Sequence, residues 1–260
     1  MTGSFNDSNP DATSIWLSRL PEKPDIDRLT CCLSIPERER MARLGPARQI
    51  EYSHSRWLIR QALAHASGLD PELCCPEEGR PVRSSSPPGW ALSLSHSHGV
   101  AACAVSRGAS VGVDIEPGSR TAQWQRVVKR WFTPSEQAWL LACDNNASFL
   151  RVWTLKEAWL KATGRGIAGH LQTLVVSHEG QLTGDRPGWQ GCVGETAGVT
   201  VAVVSGSHCR PPAPDVHEPD LLWLEAPCSD RPAAAPQVEA PDWWTCARIK
   251  ETMTDDQSHP

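Results

Sequence analysis

The stretch VGVDIE (residues 111–116) decides the fold when it is set beside WTLKEAWLKATGRG (residues 153–166). In the first, Val111, Val113 and Ile115 alternate with Gly112, Asp114 and Glu116, the period of a half-buried strand. Asp114 and Glu116 therefore share one face, about 6–7 Å apart along the strand. In the second, Trp153, Glu157 and Lys161 recur every four residues and share one face of a helix, while Leu155, Trp159 and Ala162 form an apolar stripe for the core. Two strand carboxylates and a helix carboxylate make a hard oxygen set suited to a divalent cation such as magnesium. Such an ion keeps several waters and takes further ligands from substrate phosphates. Lys161, one turn beyond Glu157, can reach a phosphate as a point charge. Taken singly, Asp-x-Glu reads as a solvated strand end and Lys-Glu-x-x-x-Lys as helix-surface pairing. The combination with stretches upstream is what points to phosphate chemistry.

Composition narrows the classes. The chain has 260 residues, enough for one substantial core or two smaller ones. A formal charge of −5 and a pI near 6.0 give no basic surface for nucleic acid, so phosphate recognition has to rest on local arginines and lysines. The start of the chain is polar, without a basic segment leading into an apolar run, and no apolar stretch approaches the roughly 20 residues of a membrane span. A cytoplasmic protein with neither secretory signal nor span is expected. Of ten cysteines, Cys31–Cys32 and Cys74–Cys75 are adjacent and the rest single, with no C-x-x-C pair. They read as mostly reduced, largely buried thiols rather than metal ligands.

Along the chain, residues 1–11 read as disordered and 12–20 as a strand with Ile15 and Leu17 on one face and Trp16 and Ser18 on the other. SIPERERMARL (residues 34–44) is a basic helix carrying Arg38, Arg40 and Arg43, opened by Ser34, Pro36 and Glu37. A longer helix covers 48–67 and stops at Gly68; residues 73–88 read as a loop, 90–97 and the following VAACAV as strands. Beyond the turn at Arg107 and Gly108 a second set of helices and strands follows. It includes the helix start Thr133-Pro134-Ser135-Glu136 and strands over 170–177 and 199–205. This predicts an α/β (α+β) fold in two similar subdomains, 12–108 and 109–206. Residues 207–260 form a Pro/Ala/acidic-rich tail, partly ordered or disordered and too polar for a third domain, whose tryptophans dock on the body or on a partner.

Taken in order, four blocks resemble the 4'-phosphopantetheinyl transferases, in particular the larger single-chain surfactin-synthetase type. Gly79-Arg80-Pro81 resembles the family's Gly-Lys-Pro turn, with arginine for lysine. Leu92-Ser93-Leu94-Ser95-His96-Ser97 resembles its Phe-Asn-Leu-Ser-His-Ser strand end, with Leu92 and Ser93 replacing the aromatic and the asparagine. Gly112-Val113-Asp114-Ile115-Glu116 matches its metal block unaltered. Residues 153–166 are similar to its Trp-x-x-Lys-Glu-Ala-x-x-Lys-x-x-Gly-x-Gly helix. The family's Gly-Arg near residue 56 keeps only Arg56, and the tail has no counterpart.

The resemblance implies coenzyme A in a cleft between two halves related by a pseudo-two-fold. It also implies transfer of 4'-phosphopantetheine to a serine of an acyl or peptidyl carrier protein, with release of adenosine 3',5'-bisphosphate. It assigns Mg2+, with Mn2+ as a substitute, to Asp114, Glu116 and Glu157. Catalysis falls to Glu157, as acceptor of the serine proton, and to Lys161, at the pyrophosphate. Ser95, His96, Arg38, Arg40, Arg56, Arg80 and Lys161 are the residues it offers to coenzyme A. Lys156 reads as structural or as a carrier contact. Because such carriers are acidic, Arg126, Lys129 and Arg130 beside Val127, Val128 and Trp131 are the expected docking face. Two halves in one chain make a monomer the simplest case. The alternatives are a magnesium-dependent phosphohydrolase of coenzyme A-like pyrophosphates, an inactive carrier-binding module, and a purely structural α/β protein.

Overall fold

The period-two alternation predicted for VGVDIE recurs in strand after strand, and it sorts side chains between a second sheet on one side and a helix on the other. The structure, a computed structural model, describes residues 13–77, 82–119, 123–167, 169–206, 216–230, 235, 237–238 and 240–251. The readings of residues 1–11 and of Gly79, Arg80 and Pro81 fall outside them. In chain order the first half contains β1 (Thr13–Arg19), α1 (Ile26–Thr30), α2 (Ile35–Ala42), α3 (Pro46–Ser67), β2 (Cys75–Pro76), β3 (Val82–Ser86), β4 (Trp90–Ser97) and β5 (Val100–Arg107). Then come β6 (Ser110–Pro117), α4 (Trp124–Trp131), α5 (Pro134–Cys143), α6 (Asn146–Thr163), β7 (Leu174–Val176), β8 (Leu182–Gly184), β9 (Gln190–Thr196) and β10 (Val199–Gly206). The last strands are β11 (Asp220–Glu225), β12 (Gln237–Val238), β13 (Asp242–Arg248) and β14 (Lys250–Glu251).

Seven strands form one sheet in the order β12-β11-β1-β5-β4-β3-β2, four form a second in the order β13-β9-β10-β6, and β14-β8-β7 make a small third. The chain leaves the first sheet at Arg107, turns through Gly108 (φ 79°), and enters the second at Ser110. Ile15 and Leu17 of β1, Val111, Val113 and Ile115 of β6, and Val199, Val201 and Val203 of β10 meet in a dry layer between the two sheets. The opposite faces of the sheets are covered by helices. Trp16, Leu92, Cys103 and Val105 pack with Leu58, Ile59, Ala62 and Leu63 of α3. Val193, Ala202 and Val204 pack with Leu155, Ala158, Trp159 and Ala162 of α6. The mixed α/β class expected from the sequence is what the structure has. No helix among the described residues is long and apolar enough to cross a membrane.

Three stretches differ from the sequence reading. The loop expected over 73–88 contains β2 and β3, which pair with each other and, through β3, with β4. Residues 190–196, in a segment that reads as loop-like with some strand character, form β9 in the second sheet. Strands from the tail extend both large sheets: β11 lies parallel to β1 and β13 antiparallel to β9. Trp223 reaches the layer between the sheets, and a Cys192–Cys246 disulfide joins β9 to β13. Among the described residues Cys31, Cys32, Cys74, Cys75, Cys103, Cys143 and Cys228 are free, in line with mostly reduced thiols, but of these only Cys74 and Cys103 are buried.

Two buried polar groups carry measurable consequences. Lys156 has no exposed side chain and lies 2.8 Å from Glu136 Oε1; it donates to Leu171 O (2.7 Å) and Leu174 O, using all three of its N–H donors. Glu136 also receives Thr133 N (3.0 Å) and Val176 N (2.9 Å), so one carboxylate caps α5 and ties it to α6 and β7. Burial, partly offset by Glu136, holds the Lys156 pKa below its ordinary value. This lysine is structural and out of reach of any carrier. Its replacement in Lys156→Met strands a buried carboxylate and should cost about 3–5 kcal/mol in urea unfolding; a variant as stable as wild type contradicts the pairing.

His54 of α3 is buried with Nε2 2.9 Å from Ser18 Oγ, and burial pushes its pKa down from 6.5 to about 4. The unfolded chain therefore binds a proton that the native state refuses. Stability should be full above pH 6.5 and fall by about 3 kcal/mol as pH drops from 6.5 to 4. Denaturant melts of wild type and His54→Gln across that window check this: the variant should lack that part of the loss, and parallel curves refute it.

Candidate active site

The site begins with a close approach that glycine alone permits. A Cβ placed on Gly112 would lie 2.0 Å from Ala158 O and 2.4 Å from Ala162 N, so β6 crosses α6 backbone against backbone. Ala158 and Ala162 are one turn apart, which keeps the helix surface low at the crossing. Asp114 and Glu116 share the Gly112 face and so reach the helix as well. Lys161 Nζ lies 2.8 Å from Asp114 Oδ1, and Trp153 Nε1 donates to Glu116 Oε1 at 3.0 Å. Glu157 stands on the same helix face one turn from each of these two partners. The spacing read from the sequence thus brings β6 and α6 together at the expected side chains.

A seam to the first sheet completes the arrangement. β6 is an edge strand of its sheet, and the backbone of Val113 turns toward β4. Its N–H donates to Ser93 Oγ (2.9 Å) and its carbonyl accepts from Lys161 Nζ (3.0 Å). Lys161 also donates to Leu94 O (3.2 Å), and Ser95 Oγ donates to Asp114 Oδ1 (2.7 Å). On the edge opposite its ladder with β10, the strand that carries Asp114 is therefore held by side chains from both halves. Sequence reasoning missed Ser93 as an anchor and Trp153 as the donor to Glu116. Trp153 had a signal, its place one turn before Glu157; Ser93 had only its departure from the family's asparagine.

The other residues singled out in the sequence lie as follows. His96 is exposed near the end of β4, next to Ser95. Arg38 is turned toward the end of α1, its Nε donating to Leu33 O (3.1 Å) and its Nη2 to Thr30 O (2.9 Å). Arg56 Nε lies 2.8 Å from Glu37 Oε1, and Arg60 Nη2 lies 2.5 Å from Glu37 Oε2. Burial would raise the Glu37 carboxyl, but the Arg60 hydrogen bond, the Ser34 N–H and the two guanidinium charges outweigh it and hold the pKa low. Arg40 is exposed in the last turn of α2, and Arg80 is outside the described residues. Arg165, between the two glycines that follow α6, pairs with Asp185 at 2.7 Å. On α4, Arg126, Lys129 and Arg130 are exposed while Val128 is buried.

Among the described residues no group of three or more His, Cys, Asp and Glu side chains is arranged to hold a metal ion. The donor chemistry nevertheless fits a hard cation. Asp114 and Glu116 are neighbouring carboxylates only 7% and 8% exposed, and magnesium needs one or two such groups besides water and phosphate. The two hydrogen bonds described for Asp114 both fall on Oδ1, and a carboxylate offers about four lone-pair sites.

Comparison with known proteins gives a consistent account. A model of the 4'-phosphopantetheinyl transferase N-terminal domain matches residues 36–106, and one of the 4'-phosphopantetheinyl transferase superfamily matches residues 110–188. The two meet where the chain passes from β5 to β6. The 4'-phosphopantetheinyl transferase HetI of Nostoc sp. is 31% identical over 170 residues, covering 61% of this chain and 71% of its own. A 4'-phosphopantetheinyl transferase of Bacillus subtilis is 29% identical over 175 residues, 62% of this chain and 74% of its own. The Escherichia coli K12 enzyme AcpT is 34% identical over 124 residues, 46% of this chain and 60% of its own. With both family models in register with the two sheets, and a relative matched over most of its length, the chain belongs to the 4'-phosphopantetheinyl transferase superfamily of enzymes.

Proposed function

We propose that this enzyme moves the 4'-phosphopantetheine group of coenzyme A onto the serine hydroxyl of an acyl or peptidyl carrier protein, with Mg2+, and releases adenosine 3',5'-bisphosphate. The observation that carries the reading is the crossing of β6 and α6. There Asp114, Glu116 and Lys161 are gathered at the joint between the two sheets, with Glu157 on the same helix face. We assign the single-chain, surfactin-synthetase-type arrangement, with subdomains 12–108 and 109–206 and coenzyme A in the cleft between them. Two large sheets, each backed by one long helix, support that division.

In the reaction the serine oxygen attacks the phosphorus on the pantetheine side of the pyrophosphate. The bond from that phosphorus to the bridging oxygen breaks, and the bisphosphate leaves with the bridging oxygen. Mg2+, held by Asp114, Glu116 and Glu157, supplies charge neutralisation on the pyrophosphate when bound. Glu157, directly or through a water, accepts the serine proton. Lys161 steadies the leaving phosphate. In the ligand-free site its three N–H donors already meet Leu94 O, Val113 O and Asp114, so a phosphate gains a donor only as one of these contacts is given up. Ser93 and Ser95 keep the Asp114 peptide in place from the other half. Ser95, His96 and Arg40 are the residues assigned to the phosphates of coenzyme A, and the exposed basic side of α4 is assigned to an acidic carrier.

Intact-mass measurement of an apo carrier incubated with coenzyme A, Mg2+ and the enzyme tests this. The carrier should gain one phosphopantetheine, and the rate should fall by about 100-fold or more in Glu157→Ala and vanish with EDTA. Cleavage of coenzyme A with no carrier labelled would contradict the transfer and support hydrolysis.

A further inference from the structure

Away from the β6–α6 crossing, two adjacent thiols have a geometry that selects a class of ligand. Cys31 caps α1 in helical conformation (φ −54°, ψ −41°), and the chain turns through Cys32 before α2. Arg38 grips this turn, reaching Thr30 O, Leu33 O and Cys31 O (3.1 Å). Held this way, Cys31 and Cys32 bring their Sγ atoms within 3.2 Å of each other. Cys31 is exposed and Cys32 partly so, and both border a groove of about 520 Å³ whose wall includes Trp57, His65 and Leu224.

The distance between the sulfurs discriminates among thiophilic centres. With metal–sulfur bonds of about 2.3 Å, a tetrahedral ion sets two sulfurs about 3.8 Å apart and a linear one about 4.6 Å. A pyramidal centre with bonds of similar length near right angles spans about 3.3 Å. The observed 3.2 Å matches the pyramidal case. A tetrahedral ion would also need further ligands, and among the described residues no group of three His, Cys, Asp or Glu is so arranged. Cys74 and Cys75 are also adjacent, but Cys74 is buried against α3 and cannot turn outward.

We propose that Cys31 and Cys32 form a bidentate capture site for trivalent arsenicals of the type R–As=O, with R lying in the groove against Trp57 and Leu224. Two As–S bonds form, the As=O bond is lost, and the two thiol protons leave with the oxygen as one water. Arsenic stays trivalent and neither sulfur is oxidised, so no oxidant or reductant is required. Burial, followed by the hydrogen bond from Cys31 and the charge of Glu72, pushes the Cys32 thiol up to about 11. That slows disulfide exchange through Cys32, which runs through the thiolate.

The test is intact-mass and peptide-mapping analysis of the full chain treated with one equivalent of phenylarsine oxide, then with excess glutathione. One adduct per chain, equal to the arsenical less one water, should survive glutathione, be removed by dimercaptopropanol, and map to the peptide holding Cys31 and Cys32. Cys31→Ser and Cys32→Ser should each lower retention on the order of 100-fold, since the second bond of a chelate is intramolecular. Absence of the adduct from wild type, mapping to another cysteine, or equal retention in the serine variants would overturn the proposal. Mapping on wild type decides the question even if a variant folds poorly.

Discussion

The backbone contact between Gly112 and α6 is the constraint on which the rest of the site depends. Any side chain at 112 would overlap Ala158 O, and β6 would have to lift from the helix. The same contact sets the height of Asp114 and Glu116 above α6, because residues of one strand face share a plane. Lifting the strand would therefore lengthen the Lys161–Asp114 and Trp153–Glu116 contacts together. It would also pull Val113 from Ser93 and so open the seam between the sheets. Geometry at the proposed site and the contact between the two sheets rest on one missing methyl.

Two lysines of α6, five residues apart, differ in how tightly the fold holds them. Lys156 points into the dry core and meets a carboxylate and two carbonyls, where its charge is affordable only because every donor is satisfied. Lys161 has a side chain about one-third exposed, and its acceptors lie on β4 of the first sheet and β6 of the second. Water can replace any one of them at little cost, so Lys161 can exchange partners whereas Lys156 cannot. The helix is thereby pinned on one side and left responsive on the other.

The central strand, the charged helix and the α5 start were legible because each is specified locally. VGVDIE carries its own period, Trp153, Glu157 and Lys161 their own spacing, and Thr133 with Glu136 a reciprocal cap. The alternation in residues 15–18 likewise anticipated Ile15 and Leu17 between the sheets and Trp16 under α3. What escaped was specified at long range. Residues 82–86, read as loop, and 242–248, read as part of the tail, are strands because an edge of β4 or β9 is there to receive them. The partners of Arg38 and Arg56 were equally invisible: carbonyls at the end of α1 and the carboxylate of Glu37 took side chains that the resemblance had offered to coenzyme A. Cys192 and Cys246, 54 residues apart, meet only because β13 lies beside β9.

The most direct measurement is the rate of carrier labelling by a Gly112→Ala variant, followed by intact mass under conditions where circular dichroism shows it folded. A methyl group at the crossing forces a backbone shift of the order that misplaces reacting groups, and a loss of about 100-fold or more is predicted. A folded Gly112→Ala enzyme that labels carrier at the wild-type rate would contradict the account, because the carboxylates would then not owe their placement to the approach of β6 to α6.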